Sequence, residues 1–217
     1  MDNPQKHIPP GEMDEIYRNM PPEEIPWNCE VPPEALVGLV ESGKVKPCKT
    51  IDMGCGAGNQ AVYFAGLGFD VTGVDISPTA IQMARENALK KGVTCHFRIA
   101  NILGDLKEMT EAFDFAYDWE VLHHVFPEKR KQYVENVYSI LHPGGKYLSV
   151  CFSEKDTQFS GSGKYRETRL GTTLYLSSEE ELRDLFDSCF NIKELKTIEI
   201  SGKSGSHLAN YVFMERK

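Results

Sequence analysis

The chain has no long apolar run: nothing in its 217 residues approaches the roughly 20 consecutive apolar residues that cross a bilayer. Its first residues, Met1-Asp2-Asn3-Pro4-Gln5-Lys6-His7, lack the charged-then-apolar order of a secretory leader, so a cytoplasmic location is expected. A basic face is missing too. The formal net charge is −8, and the longest basic cluster, Glu128-Lys129-Arg130-Lys131, opens a helix and is expected to be solvated. Long nucleic acids are met by Lys and Arg, because phosphate neutralisation supplies most of the affinity, so the expected partner is a small molecule. Six cysteines, at 29, 48, 55, 95, 151 and 189, form no Cys-x-x-Cys. Adjacent Cys95-His96 and His123-His124 are poorly arranged for chelation, so no metal site is expected and the thiols are read as reduced. Internal repeats are absent. Oligomeric state is not legible.

What is present is a chain with 41% apolar and 26% charged residues, the composition of one soluble globular domain. Thr50-Ile51-Asp52-Met53 reads as an apolar strand that runs into Gly54-Cys55-Gly56-Ala57-Gly58-Asn59, then a helix, then a second strand ending at Val74-Asp75. Strand, glycine turn, helix and a strand ending in a carboxylate is how an α/β protein builds a pocket for a nucleoside-bearing cofactor. The glycines let the backbone turn tightly and approach a ligand without a Cβ in the way. Ser77 serves as the next helix cap, which leaves Asp75 free to accept hydrogen bonds from a ribose diol.

Patterning supplies the remaining elements. A short helix is expected over 12–20, stopped by Pro21-Pro22, and another from Pro32-Pro33 to about Gly43. Strands are expected at 49–53, 69–74, 93–99, 113–117 and 146–152. Helices are expected after the glycines, from Ser77-Pro78 to Gly92 with Ile81, Ala84, Ala88 and Leu89 inward, and from Glu128 to Leu141. Residues 153–173 are polar and read as a lid or insert. Ser178-Glu179-Glu180-Glu181 is a capping box, and 190–200 and 207–215 read as a closing hairpin. The expected fold is α/β: a Rossmann-like, doubly wound, seven-stranded and mostly parallel sheet, its last strand antiparallel, with helices on both faces. One domain is expected over 1–217: an arm and helix to 45, a cofactor-binding core over 46–152, and a substrate-side segment with the final strands over 153–217.

A nicotinamide enzyme wants Gly-x-Gly-x-x-Gly/Ala, whose third small residue lets the helix pack under a pyrophosphate. Here that position is Asn59. Asp52, two places before Gly54, would repel a pyrophosphate but suits a cofactor bearing an amine and a sulfonium.

Asp52-Met53-Gly54-Cys55-Gly56-Ala57-Gly58 resembles the first motif of class I S-adenosylmethionine-dependent methyltransferases. Val74-Asp75-Ile76-Ser77 is similar to that family's second motif, and Leu141-His142-Pro143-Gly144-Gly145-Lys146 to its turn into strand five. The Pro26-Trp27 arm and Tyr117-Asp118-Trp119-Glu120-Val121-Leu122-His123-His124 look most like the thiopurine-methyltransferase-like and tellurite-resistance-like small-molecule branch. The resemblance implies S-adenosyl-L-methionine as cofactor. Gly54, Cys55, Gly56 and Gly58 would line its amino-acid and ribose portion, with Asp52 beside them. Asp75 would hold the ribose hydroxyls, Ile76 would pack on the adenine, and Asn101 with Ile102 would meet the adenine edge. Asp118 would lie where the methionine end passes toward substrate, and Trp27 and Tyr17, read as exposed aromatics, would cover the cofactor.

Methyl transfer from a sulfonium is an in-line displacement that needs a base only where the nucleophile carries a proton it must lose. Asp118 and His123, with His124 as the other histidine, are the candidates for that role. Cys151 is read as packing. Lys155, Lys164, Arg166 and Arg169 offer charge for an anionic acceptor, and Phe152, Phe159 and Tyr165 a wall. The acceptor class stays open among thiol, amine, phenol and metalloid oxyanion. An RNA or protein methyltransferase, which would carry Asn/Asp-Pro-Pro-Tyr/Phe after strand four, and a non-catalytic cofactor-binding protein are the alternatives.

Overall fold

The computed structural model describes residues 10–109, 112–203 and 205–217; the seven N-terminal residues read above for a leader lie outside that range. In chain order the elements are α1 (Pro10–Asn19), α2 (Glu34–Glu41), β1 (Lys49–Met53), α3 (Asn59–Gly66), β2 (Asp70–Asp75), α4 (Pro78–Lys91), β3 (His96–Ile99), β4 (Phe113–Trp119), α5 (Pro127–Ile140), β5 (Leu141–Phe152), β6 (Tyr165–Glu167), β7 (Thr173–Tyr175), α6 (Glu179–Asp187), β8 (Phe190–Gly202) and β9 (Gly205–Arg216). Seven strands form one sheet in the order β3-β2-β1-β4-β5-β9-β8. β1 to β5 run parallel, and β9 is antiparallel to both of its neighbours. The antiparallel strand is therefore the last in sequence but lies inside the sheet, and β8 forms the edge.

The helix ends follow their local chemistry. The Ser77 side chain accepts the Ala80 N–H, Pro78 occupies the first turn, and Gly92 closes α4 in the left-handed conformation. The Gly92 and Val93 N–H groups donate back to Leu89 and Ala88 carbonyls, a Schellman closure that occupies 93–95 and delays β3 to His96. Leu89, expected inward, is 82% exposed; it follows Ala88 by one residue, about 100° around the helix, and so leaves the stripe of Ile81, Ala84 and Ala88. The capping box of α6 forms as expected, with Ser178 and Glu181 each satisfying the other's backbone N–H. Residues 153–173, expected to be irregular, contain β6, which pairs with β7 as a separate small sheet.

Both sheet faces are buried. Leu36, Phe64, Ile81, Phe97, Phe115 and Tyr117 fill the face under α2, α3 and α4, while Met53, Ala116, Tyr133, Val137, Leu182 and Phe186 fill the face under α5 and α6. β2 and β4 lie on opposite sides of β1, so the winding reverses there. In open α/β sheets that reversal opens a crevice at the C-terminal strand ends, and the site lies in it.

Candidate active site

One cavity spans the C-terminal ends of β1, β2, β3 and β4. Its lining includes Gly54, Cys55 and Gly56 after β1, Asp75 and Ile76 at β2, Ala100 to Leu103 after β3, and Trp119, Glu120, Val121, His124 and Val125 after β4. Met13, Tyr17, Trp27 and Asn28 close it from the N-terminal arm.

The glycines divide their work. Gly54, Gly56 and Gly58 all have positive φ. A Cβ at Gly54 would sit 2.5 Å from a Val121 methyl, and one at Gly56 would sit 2.6 Å from the Tyr17 hydroxyl, so both keep cavity walls close to the backbone. Gly58 does not line the cavity. Its Cβ would lie 2.8 Å from Ala84 and 3.0 Å from Phe97, so its small size lets α3 pack on α4 and β3.

Asp75 is organised by backbone. Gly56 N–H donates to one carboxylate oxygen and Ser77 N–H to the other, each at 2.9 Å. Burial raises its pKa, and the Ser77, Gly56 and Ile76 N–H groups oppose that rise. The carboxylate is thus fixed at the cavity edge with acceptor capacity remaining. Ile76, Asn101 and Ile102 line the same end. Asn101 accepts the Leu103 N–H at 2.9 Å through its side-chain oxygen, which shapes the turn and leaves its amide N–H₂ as the second polar edge.

Asp52 does not line the cavity. It is buried beneath the turn with one oxygen lacking a hydrogen-bond partner among the described residues. Burial pushes its carboxyl up to about 7, and the Tyr117 hydroxyl works against the rise.

The arm is packed rather than loose. Tyr17, expected to be exposed, is buried with Ile25 and Ala80, and Trp27 Nε1–H donates to its hydroxyl at 2.8 Å. Asp14 accepts from the Ser77 hydroxyl at 2.6 Å and the Thr79 N–H at 3.0 Å, so α1 caps α4. Asn59, which broke the dehydrogenase pattern, bridges arm and core: its amide donates to Asn28 at 2.7 Å and its oxygen accepts from Asn87 at 2.8 Å.

At the far end the two candidate bases lie outside the cavity. Asp118 is fully buried on the α5 face. It accepts from Tyr133 at 3.0 Å and Ser149 at 3.2 Å and from the Tyr147 hydroxyl, and burial raises it to about 6. Its expected place on the cofactor's path is not where the side chain points. His123 is buried against Phe152, the rings stacked at 4.3 Å, and its Nδ1 accepts the Phe152 N–H at 3.4 Å. Its neighbour His124, with its ring 4.6 Å away, lines the cavity instead. His124 Nδ1 is buried without a hydrogen-bond partner among the described residues, and burial lowers its pKa to about 4.

Sequence reasoning passed over Glu120. It lines the cavity, sits at φ 64°, and accepts the Trp119 indole N–H at 3.2 Å. Burial pushes its carboxyl up to about 7. Arg130, expected at a solvated face, is buried under the same wall. Its guanidinium donates to the Val125 carbonyl at 2.8 Å, the Ser177 hydroxyl at 2.7 Å, and the Leu122 and Tyr175 carbonyls at 3.3 Å. Lys164 pairs with Glu154 at 3.3 Å and Glu181 at 2.5 Å, and Arg166 donates to the Gly163 carbonyl; neither lines the cavity, and nor do Phe152, Phe159 and Tyr165. All six cysteines are free, and no cluster of three metal-ligating side chains occurs among the described residues. No helix of the described residues is long and apolar enough to cross a membrane.

The family model described as "Methyltransferase domain" matches residues 51–145, the stretch that builds β1 to the start of β5 and most of the cavity. Of curated relatives, 2-heptyl-1-hydroxyquinolin-4(1H)-one methyltransferase of Mycobacteroides abscessus is 31% identical over 143 residues, 64% of this chain and 62% of its own. The chain spans less than two thirds of the length of the curated relatives it matches. Among solved structures, one concerned with conversion of a disulfide bond into a thioacetal group during echinomycin biosynthesis superposes at a TM-score of 0.80 and 25% identity, covering 96% of this chain and 93% of the other. The 1,6-didemethyltoxoflavin-N1-methyltransferase of Burkholderia thailandensis, with 1,6-didemethyltoxoflavin and S-adenosylhomocysteine bound, superposes at 0.71 and 19% identity over 96% of this chain and 87% of its own, a likeness of fold. The matched stretch places the cavity at the winding reversal, with the glycine turn on one side and Trp119 to Val125 on the other.

Proposed function

We propose that the protein is an S-adenosyl-L-methionine-dependent methyltransferase that acts on a small-molecule acceptor within the classes thiol, amine, phenol or metalloid oxyanion. The observation that carries this reading is Asp75, whose two oxygens are oriented by the Gly56 and Ser77 N–H groups beside a glycine turn at the winding reversal. A carboxylate held there suits a ribose diol. Asn59, tied to Asn28 and Asn87, stands where a dinucleotide pyrophosphate needs a small residue. Ile76, Ala100 and Ile102 offer an apolar slot for a purine, with Asn101 at its edge, and Tyr17 and Trp27 close over the turn.

Bound S-adenosylmethionine supplies an electrophilic methyl group on a sulfonium sulfur. This chain's residues hold the reacting groups collinear and shed water, which is where much of the rate of such a displacement arises. His124, neutral at pH 7, lines the acceptor side, and its buried Nδ1 has no hydrogen-bond partner among the described residues. The structural likeness to a small-molecule N-methyltransferase and the sequence likeness to a hydroxyquinolone methyltransferase support a compact organic acceptor. Calorimetry tests the donor: S-adenosylhomocysteine is expected to bind at least about 100-fold more tightly than NAD, and the reverse order would sink the reading. Transfer of labelled methyl to thiols, phenols, amines and oxyanions tests the acceptor.

A further inference from the structure

Glu120 is the only non-glycine residue with positive φ among the described residues. Strain of this kind persists where surrounding structure enforces it, and it gathers at functional sites. Here the Glu120 N–H is fixed to the Val150 carbonyl at 2.8 Å, and the carboxyl is turned into the cavity beside Trp119. Among the described residues no Lys or Arg lines this cavity. Arg130, behind the wall, is committed to the Val125, Leu122 and Tyr175 carbonyls and the Ser177 hydroxyl, and Lys203, which like Glu120 acts on the Cys29 thiol, donates to the Pro22 and Glu23 carbonyls. An acceptor arriving as an anion would meet Glu120 and Asp75 and, among the described lining residues, no Lys or Arg to offset them. The wall around it is Trp27, Trp119, Val121 and Val125, which fits a flat apolar ring.

We infer that Glu120 is the proton acceptor of the methyl-transfer step and that the acceptor is an uncharged aromatic hydroxyl or thiol. This rests on the methyltransferase reading above. In the step, the acceptor O–H or S–H bond breaks and its proton passes to a Glu120 carboxylate oxygen. The freed electron pair forms the bond to the methyl carbon. The methyl carbon–sulfur bond breaks with its pair left on sulfur, which becomes a neutral thioether. One carboxylate and one sulfonium enter, one carboxylic acid and one thioether leave, and the acid returns its proton to water. Burial holds the Glu120 carboxyl up to about 7, where a base is well matched to neutral pH. The ionisable groups around it are Cys29 on the arm, on which Lys203 also acts, His124 on the following turn, and Tyr17, Cys55 and Asp75 along the cavity.

The test compares wild type with E120Q at pH 8 on phenol, which binds protonated, and on thiophenol and pentafluorophenol, which are ionised before they bind, with tellurite alongside. S-adenosylhomocysteine affinity is measured by calorimetry on both proteins. The expected result is unchanged S-adenosylhomocysteine affinity, a loss of about 100-fold or more in kcat/KM on phenol in E120Q, and little or no loss on pentafluorophenol. In the wild type kcat/KM on phenol rises through about pH 7, and E120Q removes that limb. Equal losses on phenol and pentafluorophenol, preference of the wild type for an oxyanion, or no methylation of any aromatic acceptor by a protein that binds S-adenosylhomocysteine would each overturn the inference. Failure of the wild type to bind S-adenosylhomocysteine would instead overturn the methyltransferase reading. E120D, which keeps the carboxylate on a shorter stem, is expected to recover part of the phenol rate.

Discussion

The two ends of the cavity are built on different principles. From Gly54 to Asp75 the contacts are made by backbone: three glycines at positive φ, and N–H groups of Gly56 and Ser77 aimed at one carboxylate. From Trp119 to Val125 the wall is made of side chains, and it is held in place by Arg130, which is itself fixed by Ser177 and Tyr175 from far along the chain. A backbone-built site depends on a few residues at fixed local spacing. A wall built by side chains depends on whatever the tertiary fold brings up behind it. The proposed donor end is therefore set by local spacing, and the proposed acceptor end by contacts distant in the chain.

The sharpest way to test that contrast is to load the glycine turn with side chains. Gly58→Ala places a Cβ 2.8 Å from Ala84 at φ 75°, away from the cavity. Left-handed strain of about 1–2 kcal/mol and overpacking of about 1–3 kcal/mol together predict a loss of about 2–5 kcal/mol in denaturant unfolding. A loss below about 1 kcal/mol would mean that the turn is less rigid than its geometry indicates.

Next in size is Asp75→Ala. It removes a charged acceptor of two hydrogen bonds, each worth about 1.5–3 kcal/mol. S-adenosylhomocysteine affinity is expected to fall by about 100-fold or more in calorimetry, with acceptor KM little changed. A change confined to acceptor KM would reverse the assignment of the two ends.

Arg130→Met probes the other end. It leaves the Leu122, Val125 and Tyr175 carbonyls without their cation. A cost of about 1–3 kcal/mol in stability is expected from the unpaired buried acceptors. The diagnostic readout is the split: acceptor KM rises several-fold while S-adenosylhomocysteine affinity stays within about twofold. Equal losses on both would show that the two ends are mechanically one.

The same contrast explains what was legible in the sequence. Gly54-x-Gly56-x-Gly58 followed by Asp75 is a local pattern, and it led to the strand, the turn, the helix and the sheet they belong to. Helix ends were legible for the same reason, since Ser77-Pro78, Gly92 and Ser178-Glu181 each act within a few residues. The acceptor wall was not. His123 and His124 are adjacent in a tight turn, and only the packing of Phe152 on His123 decides which of them faces the cavity. Asp118 looked available until Tyr133 and Tyr147, from α5 and β5, closed on it. Glu120 owes its place to a left-handed backbone that no residue type announces, although its position just after β4 was a signal for inspection. Arg130 read as a surface charge because the carbonyls that bury it come from segments on both sides of it.

The smallest effect expected is on the pH dependence of stability, and its sign separates the groups. His124 stays neutral in the folded protein down to about 4, against an ordinary value of 6.5. Between those values the unfolded chain binds more protons, so this histidine makes stability fall as pH drops from 6.5 toward 4. Asp52 and Glu120, held up to about 7, and Asp118, at about 6, act oppositely: the folded protein keeps their protons where the unfolded chain has lost them, so they favour lower pH. The opposed slopes predict a shallow net profile over pH 4.5–6.5. His124→Asn removes one histidine slope, at most about 1.4 kcal/mol per pH unit, and leaves the carboxylate slopes in place. Denaturant midpoints of that variant are expected to rise, relative to wild type, as pH is lowered through this range. Parallel profiles for the two proteins would mean that His124 is protonated in the folded state and already has a partner at the acceptor end.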